Sequence, residues 1–421
     1  MAATITTADK ILKYIYSSRA LQNAVYDKNP LFALLPKSSG FNGRSLIHAI
    51  TYGNSLARSA GFATAQGRAG INGASGTDSG FNRDVNLTVT RVKNYAMYTI
   101  EQELLLAASG DRASFVKGLT QLVDGTMQTL RNDFGRDVYG SGLGELGQMT
   151  AISGAGPYTW TVGEAITQIE VGMEIVVSNG STKTAALRNS GGGVAVVSVD
   201  RAAGTFTTTT NPDSAAANDW LFIKGDRPTG STTAIGSMLK IAGMDAWNPY
   251  VAPSASENFF GTDRSVDATR LAGQRLDISS LQPEEGYITA LAALAREDGD
   301  PSHIFTSFTD EKNLKLALGS RVDAEYTQVG DVGFESIRLR GPNGTVKVYA
   351  DRNAPVGKAR ILTLNTWELK HLGDLVNNGS AGNDGGLARE YQADRFEGRM
   401  SFYGNLLCHK PSANMVANLP T

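Results

Sequence analysis

The sequence predicts an α+β chain: a long β-hairpin, then a long helix, then a mixed domain with a small all-β module set in front of it. Three observations carry this. Val85, Leu87 and Val89 alternate with Asn86, Thr88 and Thr90, the period of a strand. Phe115, Leu119, Leu122, Thr126, Leu130, Phe134 and Val138 recur every three or four residues, the period of a helix. Between residues 151 and 228, six short runs are separated by Asn179-Gly180, Gly191-Gly192-Gly193 and Ala203-Gly204.

Residues 1–44 read as an arm. Two prolines extend it, and Leu31, Phe32, Leu34 and Leu35 suit it to dock on an apolar surface. Residues 45–100 form the hairpin and its base. "SLIHAITY" and "RDVNLTVTRVKNYAMYTI" are its strands, joined by Gly53 to Asn82 with seven glycines. Connections inside compact domains are typically about 4–6 residues, so a connection this long is expected to serve something outside its own domain. Residues 101–150 contain the helix 111–139, with Asp111 as its expected N-cap. Gly118 and Gly125 lie seven apart inside it, on nearly the same side. Each costs about 1 kcal/mol against alanine. They mark either tolerated variation or the close approach of another backbone.

Residues 151–228 hold the strand candidates "YTWTV", "MEIVVSN", "KTAALRN", "GVAVVSVDR", "GTFTTTT" and "DWLFIKGD", a small antiparallel barrel or sandwich. Residues 229–380 return to mixed structure. "PEEGYITALAALARED" and "TDEKNLKLAL" are helices, "HIFTS" and "ARILTL" strands, "ESIRLRGPNGTVKVYAD" a hairpin and "NTWELKHL" a short helix. Residues 381–421 are largely extended.

Composition narrows the function. The 421 residues are 41% hydrophobic, as a globular chain requires, and the net charge is −2 without a block of Lys or Arg. A dedicated nucleic-acid binder relies on such cations. One cysteine, Cys408, permits no intrachain disulfide, and no apolar run approaches the roughly 20 residues of a membrane span. The N-terminus lacks the apolar stretch of a signal peptide.

Catalytic patterns are missing where they would be expected. Gly142, Gly144 and Gly147 have dinucleotide-fingerprint spacing, but they follow a helix and lead into β structure. Gly357-Lys358 is followed by Ala359, not by Ser or Thr, so it is no phosphate loop. His48, His303, His371 and His409 show no metal-ligand spacing. Cys408 and His409, adjacent in a strand, point to opposite faces. Glu284, Glu285, Glu297, Asp298 and Asp300 lack the calcium-loop pattern and read as a solvated acidic face. No catalytic residue, cofactor or metal is expected, and the chain reads as a non-enzyme. Charge is divided along it, however. Residues 44–93 hold six cations (Arg44, Arg58, Arg68, Arg83, Arg91, Lys93) against two anions, and residues 281–300 hold five anions against one cation. A basic hairpin meeting an acidic surface of another subunit sets register more than affinity.

The order of apolar arm, basic hairpin, long helix, mixed domain and terminal strand resembles the major capsid proteins of tailed bacteriophages, the Hong Kong 97-like fold. "KNPLFALLPKSSGFNGRSLIHAITYGNS", "VKVYADRNAPVGKARILTLNTWEL" and "YQADRFEGRMSFYGNLLCHKPSANMVANLP" carry the likeness, which covers about residues 1–150 and 229–421. The resemblance implies an E-loop at Gly53–Asn82 that lies over a neighbouring subunit, and a spine helix at 111–139. It also implies an axial domain at 229–380 and a return of 381–421 to the peripheral domain, with 151–228 as an insertion domain. The implied function is self-assembly into hexamers and pentamers of an icosahedral head enclosing double-stranded DNA. This places the chain in the virion, assembled in the cytoplasm of a bacterial host. Implied partners are further copies of the chain and a portal, with a separate scaffolding protein or none, and with or without a decoration protein. Packaged DNA is touched only by weak non-specific contact.

Expected interface residues are Arg58, Phe62, Arg68 and Arg83 in the hairpin, Glu284, Glu285, Glu297 and Asp298 in the axial domain, and Leu31, Phe32 and Leu35 in the arm. No lysine lies between Lys37 and Lys93, so the lysine crosslink of one family variant is not expected from this hairpin. A tail-tube or adhesin-like subunit is the alternative reading. It accounts for the β-rich module but not for the arm, helix and terminal strand.

Overall fold

The computed structural model describes residues 23–54, 58–68, 83–103, 112–227, 238–255, 257–329, 332–378 and 387–420, with the side chains of 112–120 excepted. Asp111 and Gly118 as a packing position therefore lie outside the described residues, as does most of the glycine-rich connection.

Helix α1 (Pro30–Leu34) starts on proline, whose missing N–H costs nothing in the first turn, and buries Pro30, Leu31, Phe32 and Ala33. Strand β1 (Lys37–Ser39) then runs parallel to β18 (Trp367–His371). Strands β2 (Ser45–Gly53) and β3 (Arg83–Thr90) pair antiparallel from Ser45↔Thr90 to Thr51↔Asp84. Their alternation sends Ile50, Leu87 and Val89 inward and leaves Ile47 72% exposed. Between them, α2 (Phe62–Arg68) is a short helix inside the stretch expected to be irregular. Strand β4 (Val92–Glu101) pairs along its whole length with β21 (Arg395–Cys408), from Val92↔Gly404 to Glu101↔Arg395. With β1, β18, β19 (Asn377–Asn378) and β20 (Ala388–Arg389) they form the first sheet.

Helix α3 (Arg112–Tyr139) has 28 residues and is on the order of 40 Å long. Its apolar stripe, Val123, Met127, Leu130, Phe134 and Val138, is buried in the main core. Phe134 meets Phe402 of β21 edge-on at 5.0 Å and stacks on Phe32 at 5.2 Å. A side chain at Gly125 would meet nothing within 4 Å, so the close approach considered for this glycine is not present.

The second sheet has seven antiparallel strands. In chain order they are β5 (Glu145–Gln148), β6 (Ala151–Ser153), β7 (Tyr158–Thr161), β8 (Glu174–Val177), β9 (Val194–Asp200), β10 (Thr205–Thr208) and β11 (Trp220–Ile223), arranged β5-β11-β8-β9-β10-β7-β6. Its core centres on Trp160 stacked with Phe206 at 5.5 Å, beside Ile175, Val177 and Leu221. Five of the six runs became strands. "KTAALRN" did not: it contributes one isolated bridge, Ser178↔Leu187, and then turns through Asn189 and Ser190 in the left-handed region. Lys183 in this run is drawn to two carboxylates, as described below.

The third sheet is mixed. After α4 (Met244–Trp247) and α5 (Ala268–Ala272) come β12 (Gln274–Asp277), α6 (Pro283–Arg296), β13 (His303–Thr306) and α7 (Phe308–Leu318). Strands β14 (Ala324–Val329), β15 (Val332–Gly341), β16 (Gly344–Ala350) and β17 (Lys358–Leu362) follow, and the chain ends on β22 (Met415–Asn418). The order is β12-β22-β17-β13-β16-β15-β14. Tyr287, Leu291 and Leu294 of α6 and Leu314 and Leu318 of α7 pack with Ile304, Val348 and Ile361 of the sheet. Acidic Glu284 and Glu285 sit in the first turn of α6, where the helix dipole favours them.

Two expectations need correction. "NTWELKHL" is a 3-10 turn, Leu364–Thr366, followed by strand β18. Trp367 and Leu369 are buried and alternate with Glu368 and Lys370, so the period of two prevails over helical propensity. The C-terminal segment also serves two sheets, because β22 inserts between β12 and β17 of the third.

Candidate assembly surfaces

Leu31, Phe32 and Leu35 were expected on a neighbour. They are 0%, 1% and 2% exposed and belong to this chain's own core. The arm is locked there by polar contacts. Lys37 Nζ donates to the carbonyls of Phe32, Ala33 and Leu35 at 2.6, 3.1 and 2.9 Å, closing the end of α1, and lies 4.6 Å from the Tyr26 ring. Burial pushes the Lys37 ammonium down to about 7. Asn353 Nδ2 donates to Asn29 Oδ1 at 3.0 Å, and Asp351 Oδ2 accepts the Leu31 N–H at 3.4 Å.

Asp351 is 1% exposed, and burial pushes its carboxyl up to about 6 although the Asn353 and Leu31 N–H groups pull the other way. A carboxyl raised above its unfolded value of 3.8 takes its proton in the folded chain first. It carries no penalty below that value, and the penalty grows until pH passes 6. At about 1.4 kcal/mol per pKa unit, the full penalty is on the order of 2–3 kcal/mol. Measured by urea unfolding, Asp351→Asn should gain about that much on the parent between pH 4 and pH 7. A difference independent of pH would show that Asp351 does not carry this proton.

Helix α2 holds Phe62 and Arg68, and none of its residues is buried. Phe62 is 79% exposed, and Arg68 Nη1 donates to the Arg58 carbonyl at 2.6 Å. Arg83 is exposed at the start of β3, its stem against Gly53. The four hairpin residues therefore lie at the outer end of the β2–β3 ribbon. Of the acidic set, Glu284 pairs with Arg321 at 2.6 Å and Asp298 with Lys410 at 2.8 Å, both within the chain. Lys410, donating a hydrogen bond, holds the Asp298 carboxyl below its ordinary value. Glu285 and Glu297 are exposed.

The histidines are less scattered than their spacing implied. The His48 and His409 rings are 4.8 Å apart, His48 Nε2 is 3.0 Å from the Cys408 carbonyl, and His409 Nε2 is 3.1 Å from Glu368. Cys408 is buried at the end of β21, and His409, in the bend just past the strand, is exposed. No group of three or more His, Cys, Asp or Glu among the described residues could hold a metal ion. No helix among them is long and apolar enough to cross a membrane.

Two features escaped sequence reasoning. One is a pair of partly linked charge clusters where the second sheet meets α3 and α4. Lys183 Nζ lies 2.8 Å from Glu145 and 2.6 Å from Asp245, and Arg360 reaches Asp245 at 3.4 Å. Nearby, Arg136 pairs with Asp133 at 3.1 Å and Lys240 with Asp226 at 3.1 Å. Burial alone raises the Glu145 and Asp245 carboxyls, but the Lys183 ammonium outweighs it and holds both below their ordinary values. The other is a cleft of about 1130 Å³ between β4, α3 and the second sheet. Its walls come from residues more than a hundred positions apart, so no local pattern announces it.

No family model matches the chain, and no curated protein matches it. Among solved structures, the chain is similar to the capsid asymmetric unit of cyanophage A-1(L), with 10% identity over 94% of this chain and 93% of that one and a TM-score of 0.48. It is also similar to the capsid of Myoviridae phage XM1, with 7% identity over 93% and 92% and a TM-score of 0.43. A third is the capsid of a native GTA particle, with 8% identity over 94% and 91% and a TM-score of 0.42.

Proposed function

We propose that this chain is the shell subunit of an icosahedral, double-stranded-DNA-containing head of the Hong Kong 97-like kind, and that it is structural, not enzymatic. The observation that carries the reading is the far end of the β2–β3 ribbon. Helix α2 has seven residues and buries none of them. Isolated helices shorter than about 12–15 residues are marginal in water, and a two-stranded ribbon is little better. Such an element is stable when it packs on something else, and a second copy of the chain supplies that surface. Phe62 is the apolar anchor, with Arg58, Arg68 and Arg83 around it. The exposed carboxylates Glu285 and Glu297, with Glu284 and Asp298, are the complementary set on the neighbour.

In this reading the third sheet with α6 and α7 is the axial domain that closes rings of five and six, through heterologous contacts that close by rotation. The second sheet is an insertion. The finished shell is a virion component built in the host cytoplasm, with a scaffolding protein, a portal and a decoration protein as further partners.

Expression of the chain alone or with its scaffold, followed by negative-stain imaging and mass measurement, tests this. Closed shells, or rings of five and six, are expected. Open tubes or filaments would overturn it in favour of a tail-type subunit. The double variant Arg58→Glu, Arg68→Glu should lose closed shells while its melting temperature stays within about 2 °C of the parent, since exposed substitutions usually change stability by under about 0.5 kcal/mol. Normal shells from that variant would remove the hairpin charges from the interface.

A further inference from the structure

Among the described residues, the first sheet has an edge with no strand against it. Among the described residues, β4 pairs with one strand only, β21, and its other edge carries a row of backbone N–H and C=O groups without a strand partner. Arg91, Val92, Lys93, Asn94 and Tyr95 all line the cleft. Successive strand residues point to opposite faces, so five in a row along one cleft means that the cleft follows the edge of the strand.

The chemistry of this edge has a sign. Arg44 and Lys93 are exposed and, with Arg91, form a cationic rim on the cleft. None of the three forms an ion pair among the described residues, whereas Arg136 and Lys240 deeper in the cleft are matched by Asp133 and Asp226. Behind the wall two buried donors lack acceptors. Asn94, 6% exposed, has its Oδ1 toward Lys240 Nζ at 3.4 Å and its Nδ2 without a partner. Arg136, 8% exposed, has Nε without one. Beside the edge, Tyr95 and Met97 are about half exposed, and Tyr95 meets Tyr403 edge-on at 5.8 Å.

The geometry points to a strand-addition site: the free edge of β4 accepts an extended, acidic segment of a separate partner protein. Backbone pairing supplies affinity, the Arg44–Arg91–Lys93 rim selects carboxylates at alternate positions, and the apolar side chains between them turn to the opposite face of the strand, the face of Val92 and Asn94. The occupant is not this chain's own beginning, because residues 1–22 carry three cations and one anion, the wrong sign for this rim. Nor do the acidic groups of a second copy suit it, since Glu284 and Glu285 lie in helix α6 and Glu297 and Asp298 in the turn after it, neither of them an extended strand. Nucleic acid is disfavoured because a sugar-phosphate backbone cannot pair with a strand edge, and Asp133, Glu170 and Asp226 stand in the same cleft. The site stands whether or not the chain closes into shells.

The test uses the purified full-length chain and a fluorescein-labelled (Val-Glu)4 peptide, followed by anisotropy. Saturable binding is expected. It should weaken about tenfold in the Arg44→Glu, Lys93→Glu double variant, both positions being exposed and so compatible with folding, and about tenfold when alternate peptide nitrogens are methylated to block strand pairing. A (Val-Lys)4 peptide should not bind. No saturable binding, equal binding of the methylated peptide, equal binding by the charge-reversed chain, or tighter binding of an oligothymidylate of equal charge would each overturn the proposal. So would competition by self-association of the chain through the same edge.

Discussion

Replacing Lys183 by methionine is expected to cost about 3–5 kcal/mol at neutral pH, the range seen when one partner of a buried ion pair is removed and the others keep their charge. The side chain bridges Glu145 and Asp245, which are each 9% exposed, and its ammonium also lies 4.6 Å from the Trp220 ring. Arg360 remains to answer Asp245, so Glu145 is the group left exposed to the loss. The sign of the pH dependence separates charge from packing. In the parent, both carboxyls are held below their ordinary values of 4.5 and 3.8, so the bridge contributes above those values and is lost as pH falls through the folded ones. In Lys183→Met, Glu145 above all is free to rise, and the gap between the proteins should narrow as pH falls from about 7 to about 4. A gap constant from pH 7 to pH 4 in urea unfolding would mean that the cost is only the cavity and the lost ring contact. Adding Glu145→Gln should recover part of the loss at pH 7, since the uncompensated charge goes with it.

The Lys183 bridge also marks where sequence reasoning stops. Glu145, Lys183, Asp245 and Arg360 span more than two hundred positions, and each alone looks like an ordinary surface charge. What the sequence made legible was periodic. The stripe Leu122 to Val138 predicted α3, and the alternation Val85 to Val89 predicted β3, because in both cases one buried face imposes its repeat on neighbouring residues. Strands β5 and β6 lacked such a repeat: "ELGQ" and "AIS" are too short to show one, and pairing with β11 and β7 decides them. Leu31, Phe32 and Leu35 showed a different limit. Their apolar character correctly announced burial, but a hydrophobic side chain does not specify whose surface covers it, and α3 of the same chain does. The acidic segment shows the same limit in part: Arg321 and Lys410, far along the chain, pair with Glu284 and Asp298, and no local pattern announces either partner.

Two glycine-to-alanine substitutions should move stability in opposite directions, and this tests the packing on both sides of α3. At Gly243, which precedes α4, a methyl carbon would sit 2.4 Å from the carbonyl oxygens of both Asp137 and Val138. Those atoms are backbone at the end of α3, held by the helix, so no flexible side chain can yield. Helix α4 must move, and it carries Asp245 of the Lys183 bridge and Trp247, whose Nε1 donates to the Leu406 carbonyl at 3.0 Å. Overpacking a core typically costs about 1–3 kcal/mol, and here a hydrogen bond and an ion pair are displaced with it, so Gly243→Ala should cost about 3 kcal/mol or more. At Gly125, in the interior of α3, the same methyl would meet nothing within 4 Å and the backbone is already helical. There alanine should stabilise by about 0.5–1 kcal/mol, through the entropy that glycine loses on folding. Both values follow from urea midpoints at one pH. If Gly243→Ala were neutral, the start of α4 would have to lie away from the end of α3. If Gly125→Ala were destabilising, that side of the helix would have to be covered, and the cleft beside β4 would be closed where it is here open.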